Sequence, residues 1–524
     1  MSVSKSLKLL VLSIAFLLTE TCLLFASETL NSVIFTGNTK VSVKDLQKTV
    51  RPFLHKDISA KTLNDLKIAV THLYTSKGYS LSRAVIPPQD IQNGVVKVQI
   101  VEGKYNKITV HNKSRVSNKL IDATVANLKP GNVFNYNTLD TDMSLLKAIP
   151  GTSVTSFLSP GSIPGTTDTT VNVDRTPMLN ANIGINNYGM AYTGQLMLTV
   201  DGSLNNIFHQ GDTFSIVNAA SSLGFNTAMV SYDTILNRLG THVGASYGAT
   251  EYNVGTGINV FSQGINASAA AALGASGYSQ IASLWVTQPI IKRQDTDLTS
   301  RIDADKYFLS DTYNQSAGAV DDRTITALTG SLMYTGTGTT GVTTANLAYE
   351  WYTLQLTGGN PSLNPFGLTT PGTRDIWKTD VTRTQQLPGD GNSLFFNLGG
   401  MFSNGQLDPA MEYTLGGESN LRGYAMAVLF GDSGYDANLE FRHVVQGVHT
   451  GQLMLTAFFD DAGVSLNNVS WLNLMSPGVG ANYTYGKWKG NVEVGTPVGN
   501  VPSIVGGYSP VQVWFSLSRS FSTF

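Results

Sequence analysis

Two patterns of apolar and polar residues divide this chain near residue 178. Before that point, apolar residues recur at helical spacing in short segments, and Leu66, Val70 and Tyr74 for example share one face of a helix. After it, apolar and polar residues alternate over segments of about 9–13 residues, separated by turn residues. The sequence therefore predicts an α+β region followed by a large region of antiparallel strands.

The first region predicts two copies of one β-α-α-β-β unit. Ser42 with Asp45 resembles a capping box before the first helix, and Ser59 is expected to cap the second helix. In the first copy we predict a strand at 33–35, helices at 43–53 and 59–77, and strands at 83–86 and 95–101. In the second copy we predict a strand from 108, helices near 116–127 and 139–148, and strands near 153–158 and 170–173.

The second region predicts a mainly β fold, a closed sixteen-stranded antiparallel transmembrane β-barrel. Each segment has one apolar and one polar face, as expected for a strand between lipid and water. A bilayer cannot solvate open sheet edges, so the barrel must close. The predicted strands are 179–188, 191–202, 211–220, 225–234, 241–251, 278–288, 297–308, 323–335, 342–354, 376–387, 393–402, 434–445, 451–460, 476–486, 487–498 and 510–521.

The connections between these strands alternate in length. The long ones, 252–277, 355–375 and 403–433, follow odd-numbered strands, whereas 388–392 and 446–450 are short. Long loops on one side and tight turns on the other are typical of outer-membrane barrels. The stretch 252–277 is rich in Ala and Ser and is compatible with a loop or with another strand.

Composition agrees with a barrel and excludes several other classes. Of the 524 residues, 13% are charged, which is about half the usual share in soluble domains. A hydrophobic content of 42% is too ordinary for a helical membrane protein and too high for a disordered chain. The net charge of −2 disfavours a nucleic-acid binder. Residues 28–178 carry 18 Lys and Arg against 11 Asp and Glu, so the first region is basic.

The first 27 residues predict a secretory signal peptide. Lys5 and Lys8 precede the apolar run 9–18, which is too short for a comfortable transmembrane helix. We expect cleavage near Ala26 or Ser27. That cleavage removes the only cysteine, so the mature chain has neither a disulfide nor a thiolate metal site.

A series of short motifs runs in order along the rest of the chain. They are Gly78-Tyr79-Ser80 with Pro87, Gln89 and Gly94, Val101-Glu102-Gly103, Ile149-Pro150-Gly151, Ser159-Pro160-Gly161, Gly165-Thr166-Thr167, Asn187-Tyr188-Gly189 and 205–212. Taken together they resemble the outer-membrane transporters of two-partner secretion, the TpsB family of haemolysin secretion/activation proteins. The resemblance implies a signal peptide (1–27), two periplasmic POTRA domains (28–104 and 105–178) and a sixteen-stranded outer-membrane barrel (179–524).

One further motif lies in the long connection 403–433. It resembles the family's signature on the sixth extracellular loop, which folds back into the barrel. Its residues are Leu421, Arg422, Gly423 and Tyr424. Some relatives also carry an N-terminal plug helix, for which this sequence leaves no room before the strand at 33–35, so we expect any plugging to come from the sixth loop.

A second motif lies on the thirteenth predicted strand. Phe459, Asp461 and Gly463 resemble the family's partner motif on the inner wall of the barrel. The resemblance therefore implies that Arg422 pairs with Asp461, through charge-assisted hydrogen bonds that pin the loop in the lumen. Asp460 is the competing acid, because adjacent strand residues point to opposite faces.

The sequence predicts no catalytic site and no cofactor. The run from Gly336 to Gly341 fits GxGxxG, but it joins two strands and opens no helix. The run from Gly244 to Gly248 fits GxSxG, but it lies inside a strand rather than at a strand-to-helix turn. The seven histidines lack metal-ligand spacing. We therefore predict that the protein is not an enzyme.

The predicted function is a conduit for a partner exoprotein, such as an adhesin, a cytolysin or a haem-scavenging protein. The unfolded partner is expected to dock on the POTRA domains by β-augmentation and to thread through the barrel. The alternatives are an outer-membrane protein insertase and, less favoured, a passive porin or receptor. The lipid bilayer and the barrel-assembly machinery are further expected partners. Phe521, with Phe524 at the end of a short extension, resembles the C-terminal aromatic signal that this machinery reads.

Overall fold

The structure is a computed structural model in which two compact units are defined by their internal contacts. It describes residues 28–254, 274–313, 319–359, 371–445, 451–466, 470–502, 505 and 509–524. One unit comprises the described residues up to Thr109 together with Leu128–Leu139 and Phe157–Thr170, and the other comprises Val110–Asn127, Asp140–Ser156 and Val171–Phe524. The predicted signal peptide and most of the ambiguous stretch 252–277 lie outside the described residues.

The first predicted β-α-α-β-β unit is present with its elements in the expected order. They are β1 (Ser32–Thr36), α1 (Val43–Val50), a 3-10 turn (Arg51–Phe53), α2 (Ala60–Ser76), β2 (Arg83–Val85) and β3 (Val95–Val101). β3 is the central strand of the sheet, parallel to β1 and antiparallel to β2. Both predicted helix caps are confirmed, because the hydroxyls of Ser42 and Ser59 each accept a hydrogen bond from the backbone amide three residues later.

One apolar core joins the two helices of this unit to its sheet. The helix residues in it recur at the spacing that predicted the helices, and the strand residues recur at every second position. The fully buried members from these elements include Leu46, Val50, Leu66, Val70, Tyr74, Val96 and Val98.

Glu102 fastens the end of β3 to the connection between β1 and α1. Its carboxylate accepts hydrogen bonds from the amides of Thr39 (2.7 Å) and Lys40 (2.9 Å), from the Thr39 hydroxyl (2.5 Å) and from the Tyr74 hydroxyl (3.1 Å). Burial alone would raise the pKa of Glu102, but the hydrogen bonds from Thr39, Lys40 and Tyr74 outweigh it and hold that pKa below its usual value. Burial, together with the Glu102 charge, raises the pKa of Tyr74. The motif at 101–103 therefore has a structural role.

The second copy of the unit is also present in the predicted order. Its elements are β4 (Lys104–Asn112), α3 (Asn118–Thr124), α4 (Tyr136–Ala148), β5 (Thr152–Pro160) and β6 (Thr166–Arg175). β6 is the central strand, so β4 and β5 are the edges of a three-stranded sheet. Among the described residues, no helix has the length and apolar character needed to cross a membrane.

Sixteen antiparallel strands form a closed barrel, and each corresponds in order to one predicted strand. The last strand pairs with the first, with Phe521 opposite Ala181. The barrel strands are β7 (Leu179–Asn186), β8 (Met197–Asn205), β9 (Thr213–Ser221), β10 (Phe225–Ile235), β11 (His242–Asn253), β12 (Ala275–Lys292), β13 (Thr296–Tyr313), β14 (Ala319–Gly338), β15 (Gly341–Gly359), β16 (Gly372–Gln386), β17 (Asn392–Ser403), β20 (Ser433–Val445), β21 (Gln452–Leu466), β22 (Ser470–Tyr485), β23 (Trp488–Gly495) and β24 (Gln512–Thr523). The predicted barrel is confirmed.

The alternation on the last strand also has the predicted orientation. Phe515, Leu517 and Phe521 are exposed on the outer surface, where lipid would cover them, whereas Gln512 and Trp514 are buried on the inside. The tight turn between β14 and β15 contains the GxGxxG run, and β11 contains the GxSxG run. Both runs therefore belong to strands and a hairpin turn, as the sequence predicted.

The connection between β17 and β20 folds into the barrel. It contains a two-stranded hairpin, β18 (Tyr413–Leu415) and β19 (Leu429–Gly431). The loop and the inner wall share one buried apolar cluster. Its buried members are Leu415, Leu421, Tyr424 and Leu429 from the loop, Ala462 and Val464 from β21, Leu474 from β22, and Val505. This connection is the sixth loop, and its apolar side chains lie inside the lumen.

Candidate functional site

Arg422 is the centre of the contacts between the sixth loop and the barrel wall. Its side chain is only 5% exposed, and that of Asp460, on β21, is fully buried. The guanidinium donates from Nε (3.1 Å) and Nη2 (2.6 Å) to the two oxygens of Asp460, and the backbone amide of Arg422 donates to the same carboxylate at 2.9 Å. This paired geometry fixes both the position and the orientation of the loop.

The acid that pairs with Arg422 is thus Asp460, and the prediction of Asp461 was wrong by one residue. Side chains alternate along a strand, so a shift of one residue moves a side chain to the other face. On β21 the buried positions include Thr456, Phe458 and Asp460, which face the lumen. Asp461 faces the other way, on the outer side of the barrel with Phe459.

The aromatic residue that faces the lumen is also one position earlier in the chain than the strand motif predicted, for the same reason. Phe459 is exposed on the outer surface of the barrel. Phe458 faces the lumen instead, and the Arg422 guanidinium lies 3.5 Å from the centroid of its ring. Gly463 is buried beside the side chains of Tyr435 and Asn473, which leave no space for a Cβ atom. The lumen motif is therefore Phe458 and Asp460.

Two further carboxylates surround the loop arginine. Nη1 of Arg422 donates to Glu440 at 2.6 Å and to Glu493 at 3.4 Å. Arg442 donates from Nε to the second oxygen of Glu440 at 2.7 Å, and its guanidinium lies 3.9 Å from the ring centroid of Phe395. Three wall carboxylates thus surround one buried loop cation, and a second arginine offsets part of their charge. Such a cluster is stable only while every charge keeps its partner.

Polar contacts also hold the backbone of the loop. The carbonyl of Arg422 accepts a hydrogen bond from the indole Nε1 of Trp514 at 2.8 Å. The amide of Gly423 donates to the Ser476 hydroxyl at 2.9 Å. Asn438 donates both to Asp460 (3.0 Å) and to the carbonyl of Asn420 (2.9 Å). Strands β20, β21, β22 and β24 therefore all contact the loop near Arg422.

The other three residues of the loop motif have separate structural roles. Leu421 and Tyr424 are buried in the apolar cluster between loop and wall. Gly423 packs so closely against Ser476 that an added Cβ would overlap that side chain and would lie 2.9 Å from the carbonyl carbon of Thr496. Only glycine leaves enough space for this close approach.

Sequence reasoning missed most of the wall residues of the site. They are Asn438, Glu440, Phe458, Ser476, Glu493 and Trp514. Glu440 and Glu493 are charged residues within transmembrane strands, which is a signal for a lumen position. The resemblance indicated that the thirteenth barrel strand faces the loop, which is correct, but no signal in the sequence pointed to the contacts from the other strands.

The remaining candidate residues occupy ordinary positions in the barrel. Phe521 is exposed on the outer face of β24, and Phe524 follows the strand with the Arg175 guanidinium 5.5 Å from its ring centroid.

Within the part of the chain that the structure describes, no three His, Cys, Asp or Glu residues come together as a metal site. His242 is hydrogen-bonded to Asp233 at 2.7 Å, and Asp233 also accepts from the Trp285 indole at 2.9 Å.

Two family models match this chain. The model of the POTRA domain, ShlB-type, matches residues 29–103. The model of the haemolysin secretion/activation protein ShlB/FhaC/HecB matches residues 165–483, which is more than half of the chain. The first match covers the first β-α-α-β-β unit, and the second covers most of the barrel together with the sixth loop.

Individual relatives and solved structures agree with these matches. Heme/hemopexin transporter protein HuxB of Haemophilus influenzae (strain 86-028NP) is 21% identical over 93% of this chain and 85% of its own length. Outer membrane transporter CdiB of Dickeya dadantii (strain 3937) is 28% identical over 38% of this chain and 35% of its own. The structure of CdiB from Escherichia coli superposes with a TM-score of 0.75 at 18% identity, covering 94% of this chain and 90% of that one. The fold is therefore the same, and the chain belongs to the ShlB/FhaC/HecB family of haemolysin secretion/activation proteins.

Proposed function

We propose that this protein is the outer-membrane translocator of a two-partner secretion system, and that an unfolded partner exoprotein crosses the membrane through its barrel. The observation that carries the proposal is the sixth loop, which a buried cluster around Arg422 holds inside a closed barrel that follows two POTRA-like units. The barrel lies in the outer membrane, and the POTRA domains lie in the periplasm. The POTRA-like units, together with this paired loop, argue against a passive porin.

The domain boundaries of this proposal are those read from the sequence. Residues 1–27 act as the signal peptide, 28–104 and 105–178 are the two POTRA domains, and 179–524 form the barrel. The match of the POTRA model to residues 29–103 supports the first of these boundaries. The alternation of apolar outer and polar inner side chains supports insertion of the last part in lipid.

The partner docks on exposed strand edges of the POTRA domains. β1 and β2 are the edges of the first sheet, and β4 and β5 are those of the second. On the edge strand β5, Phe157 and Leu158 are exposed and therefore accessible to an extended segment. The excess of Lys and Arg in residues 28–178 favours partners with acidic segments. The partner is an adhesin, a cytolysin or a haem-scavenging protein.

The sixth loop fills part of the lumen, so passage of a chain requires the loop to move or to make room. The buried cluster around Arg422 sets the free energy of that movement. The barrel itself is inserted by the barrel-assembly machinery, which reads the aromatic residue at the end of β24. No cofactor takes part in this cycle, and folding of the partner outside the cell drives export.

Deletion of residues 28–178 tests the proposal. The chain is co-expressed with a candidate partner exoprotein, in a host that lacks both proteins. The truncated chain is expected to insert as a heat-modifiable barrel and to secrete none of the exoprotein, because docking and passage depend on different parts of the chain. Secretion by the truncated barrel at the level of the full chain would contradict docking on the POTRA domains.

A further inference from the structure

A second buried ion cluster joins the sixth loop to the barrel wall, away from Arg422. Arg323 lies on β14, and Asp408 lies in the loop segment that leaves β17. Nε of Arg323 donates to Asp408 at 2.6 Å, and Nη2 donates to the other oxygen at 3.3 Å. The Arg323 side chain is 6% exposed and that of Asp408 is fully buried. The polarity is the reverse of the first cluster, because here the wall supplies the cation and the loop supplies the acid.

The two clusters lie on different parts of the wall. Strand β14 is five strands away from β21, which carries Asp460. The loop is therefore attached at two places, once near its beginning at Asp408 and once near its middle at Arg422. An apolar cluster reinforces the attachment near Asp408. It includes Leu407 and Met411 from the loop, and Leu309, Ile325, Tyr352, Leu354, Ile376 and Met401 from strands β13 to β17.

Asp408 is also held in position by its own segment. One of its carboxylate oxygens accepts a hydrogen bond from the amide of Ala410 at 2.9 Å, and its carbonyl accepts one from the amide of Met411 at 2.8 Å. The amide of the preceding residue, Leu407, donates to Asp432 at 2.6 Å. These contacts hold the turn so that the carboxylate of Asp408 faces the barrel wall.

The two attachments differ in the buried charges that remain on the barrel wall when each ion pair separates. Nη1 of Arg323 also donates to Asp311 on β13 at 2.6 Å and lies 3.9 Å from Asp321, so the wall arginine keeps a buried partner after Asp408 departs. Departure of Arg422 instead leaves Asp460 and Glu493 without their cation, and Glu440 keeps only its contact with Arg442. A buried charge that loses its partner is costly. Release at Asp408 is therefore easier than release at Arg422.

We propose that Arg323 and Asp408 form a second, releasable anchor that positions the first part of the sixth loop, and that this anchor opens before the one at Arg422 when the lumen widens. Arg323 is a positioning residue in this scheme. The link to lumen opening rests on the proposed secretion function, whereas the existence of two separable anchors does not. Hydrogen exchange therefore tests the two anchors, and pore opening tests the release of the second one.

Hydrogen exchange of the full-length protein in detergent, followed by mass spectrometry, tests the two anchors directly. In the wild-type chain we expect residues 404–412 to exchange faster than residues 420–424. Asp408→Asn retains an acceptor for Ala410 but removes the charge, and it is expected to speed exchange in 404–412 by about tenfold while 420–424 keep wild-type protection. Arg422→Gln is expected to speed exchange in 420–424 while 404–412 keep wild-type protection.

A matched control and a functional readout complete the experiment. Asp322→Asn, on the same strand as Arg323 but outside its contacts, is expected to leave exchange in both segments unchanged. In planar bilayers, Asp408→Asn is expected to raise the frequency of open-pore events by about tenfold, since one charge-assisted anchor is lost. Unchanged exchange in 404–412, or equal loss of protection in both segments, would overturn the second anchor. Separate loss of protection without more pore opening would overturn its release during transport and leave the anchor itself intact.

Discussion

The indole of Trp514 donates a hydrogen bond to the backbone carbonyl of Arg422 at 2.8 Å. This contact joins the sixth loop to the last strand of the barrel, which itself closes the barrel by pairing with the first strand. Trp514 is buried, and its ring also contacts that of Tyr188, with 6.1 Å between their centroids. The loop is therefore coupled to barrel closure as well as to the acids of strands β20, β21 and β23.

Replacement of Trp514 tests this coupling. Trp514→Phe retains an aromatic ring but removes the N–H donor, so the buried carbonyl of Arg422 loses this hydrogen bond. An unsatisfied buried acceptor typically costs about 1–3 kcal/mol. We expect a lower temperature for the heat-induced shift on gels and more frequent pore opening. Trp488→Phe, at an exposed position on β23, is the control and should leave both unchanged.

The close packing of Gly423 predicts that even a methyl group prevents the loop from seating. In Gly423→Ala the new Cβ meets Ser476 and the backbone of Thr496, neither of which is the end of a flexible side chain. We expect secretion to fall at least about tenfold with the barrel still inserted, since strain of this kind commonly costs about 1–3 kcal/mol. Gly330→Ala on β14 is the control, because its Cβ would meet no atom within 4 Å. Equal secretion by the two variants would contradict close packing at Gly423.

The Glu102 network predicts a pH dependence of the first POTRA domain. The folded state holds the pKa of Glu102 below its unfolded value, so its contribution to stability is full above the unfolded pKa and is lost as the pH falls through the folded value. The protection of the Thr39 and Lys40 amides from hydrogen exchange, relative to their intrinsic exchange rates, should therefore fall as the pH falls. In Glu102→Gln this protection should already be low at neutral pH and should not change with pH. If Glu102→Gln keeps the wild-type pH dependence of protection, a group other than Glu102 is responsible for that dependence.

The two C-terminal aromatic residues predict different effects on assembly. Phe521 lies in β24, faces outward and is paired opposite Ala181, whereas Phe524 follows the strand. We expect Phe521→Ala to lower the outer-membrane level of the protein more than Phe524→Ala does. Quantitative immunoblots of membrane fractions measure this, and the reverse order would place the signal at the terminal residue.

Most of the fold could be predicted from the sequence because it depends on local periodicity. The caps at Ser42 and Ser59, the repeated β-α-α-β-β order and all sixteen barrel strands follow from spacing over a few residues. Strands β12 to β15 are longer than predicted, at 18 to 20 residues. Their ends carry polar residues such as Asp311 and Asp321, which weaken the alternation that marks a strand.

The candidate site was harder to predict because it depends on phase and on distant contacts. Asp460 and Asp461 are adjacent and chemically identical, so only the phase of β21 decides which one meets Arg422. Phe458 and Phe459 are likewise adjacent and identical. A motif placed one residue too far along the chain therefore selects Phe459 instead of Phe458, and Asp461 instead of Asp460. The contact between Arg323 and Asp408 joins residues 85 positions apart. No local pattern in the sequence reports such a contact.

The corrected pair predicts a specific set of secretion phenotypes. Removing one partner of a buried ion pair typically costs about 3–5 kcal/mol, because the other charge is left buried and unpaired. Arg422→Gln and Asp460→Asn should each impair secretion strongly with the barrel still inserted. The double variant should be little worse than either single variant, since neighbours in one network are not additive. Asp461→Asn is the adjacent control.

Secretion of the partner exoprotein by these four variants, at matched outer-membrane levels, shows whether Arg422 and Asp460 act as one buried pair. We expect strong and non-additive defects for Arg422→Gln and Asp460→Asn, and near wild-type secretion for Asp461→Asn. A stronger defect at Asp461 than at Asp460, or independent and additive defects at Arg422 and Asp460, would show that they do not.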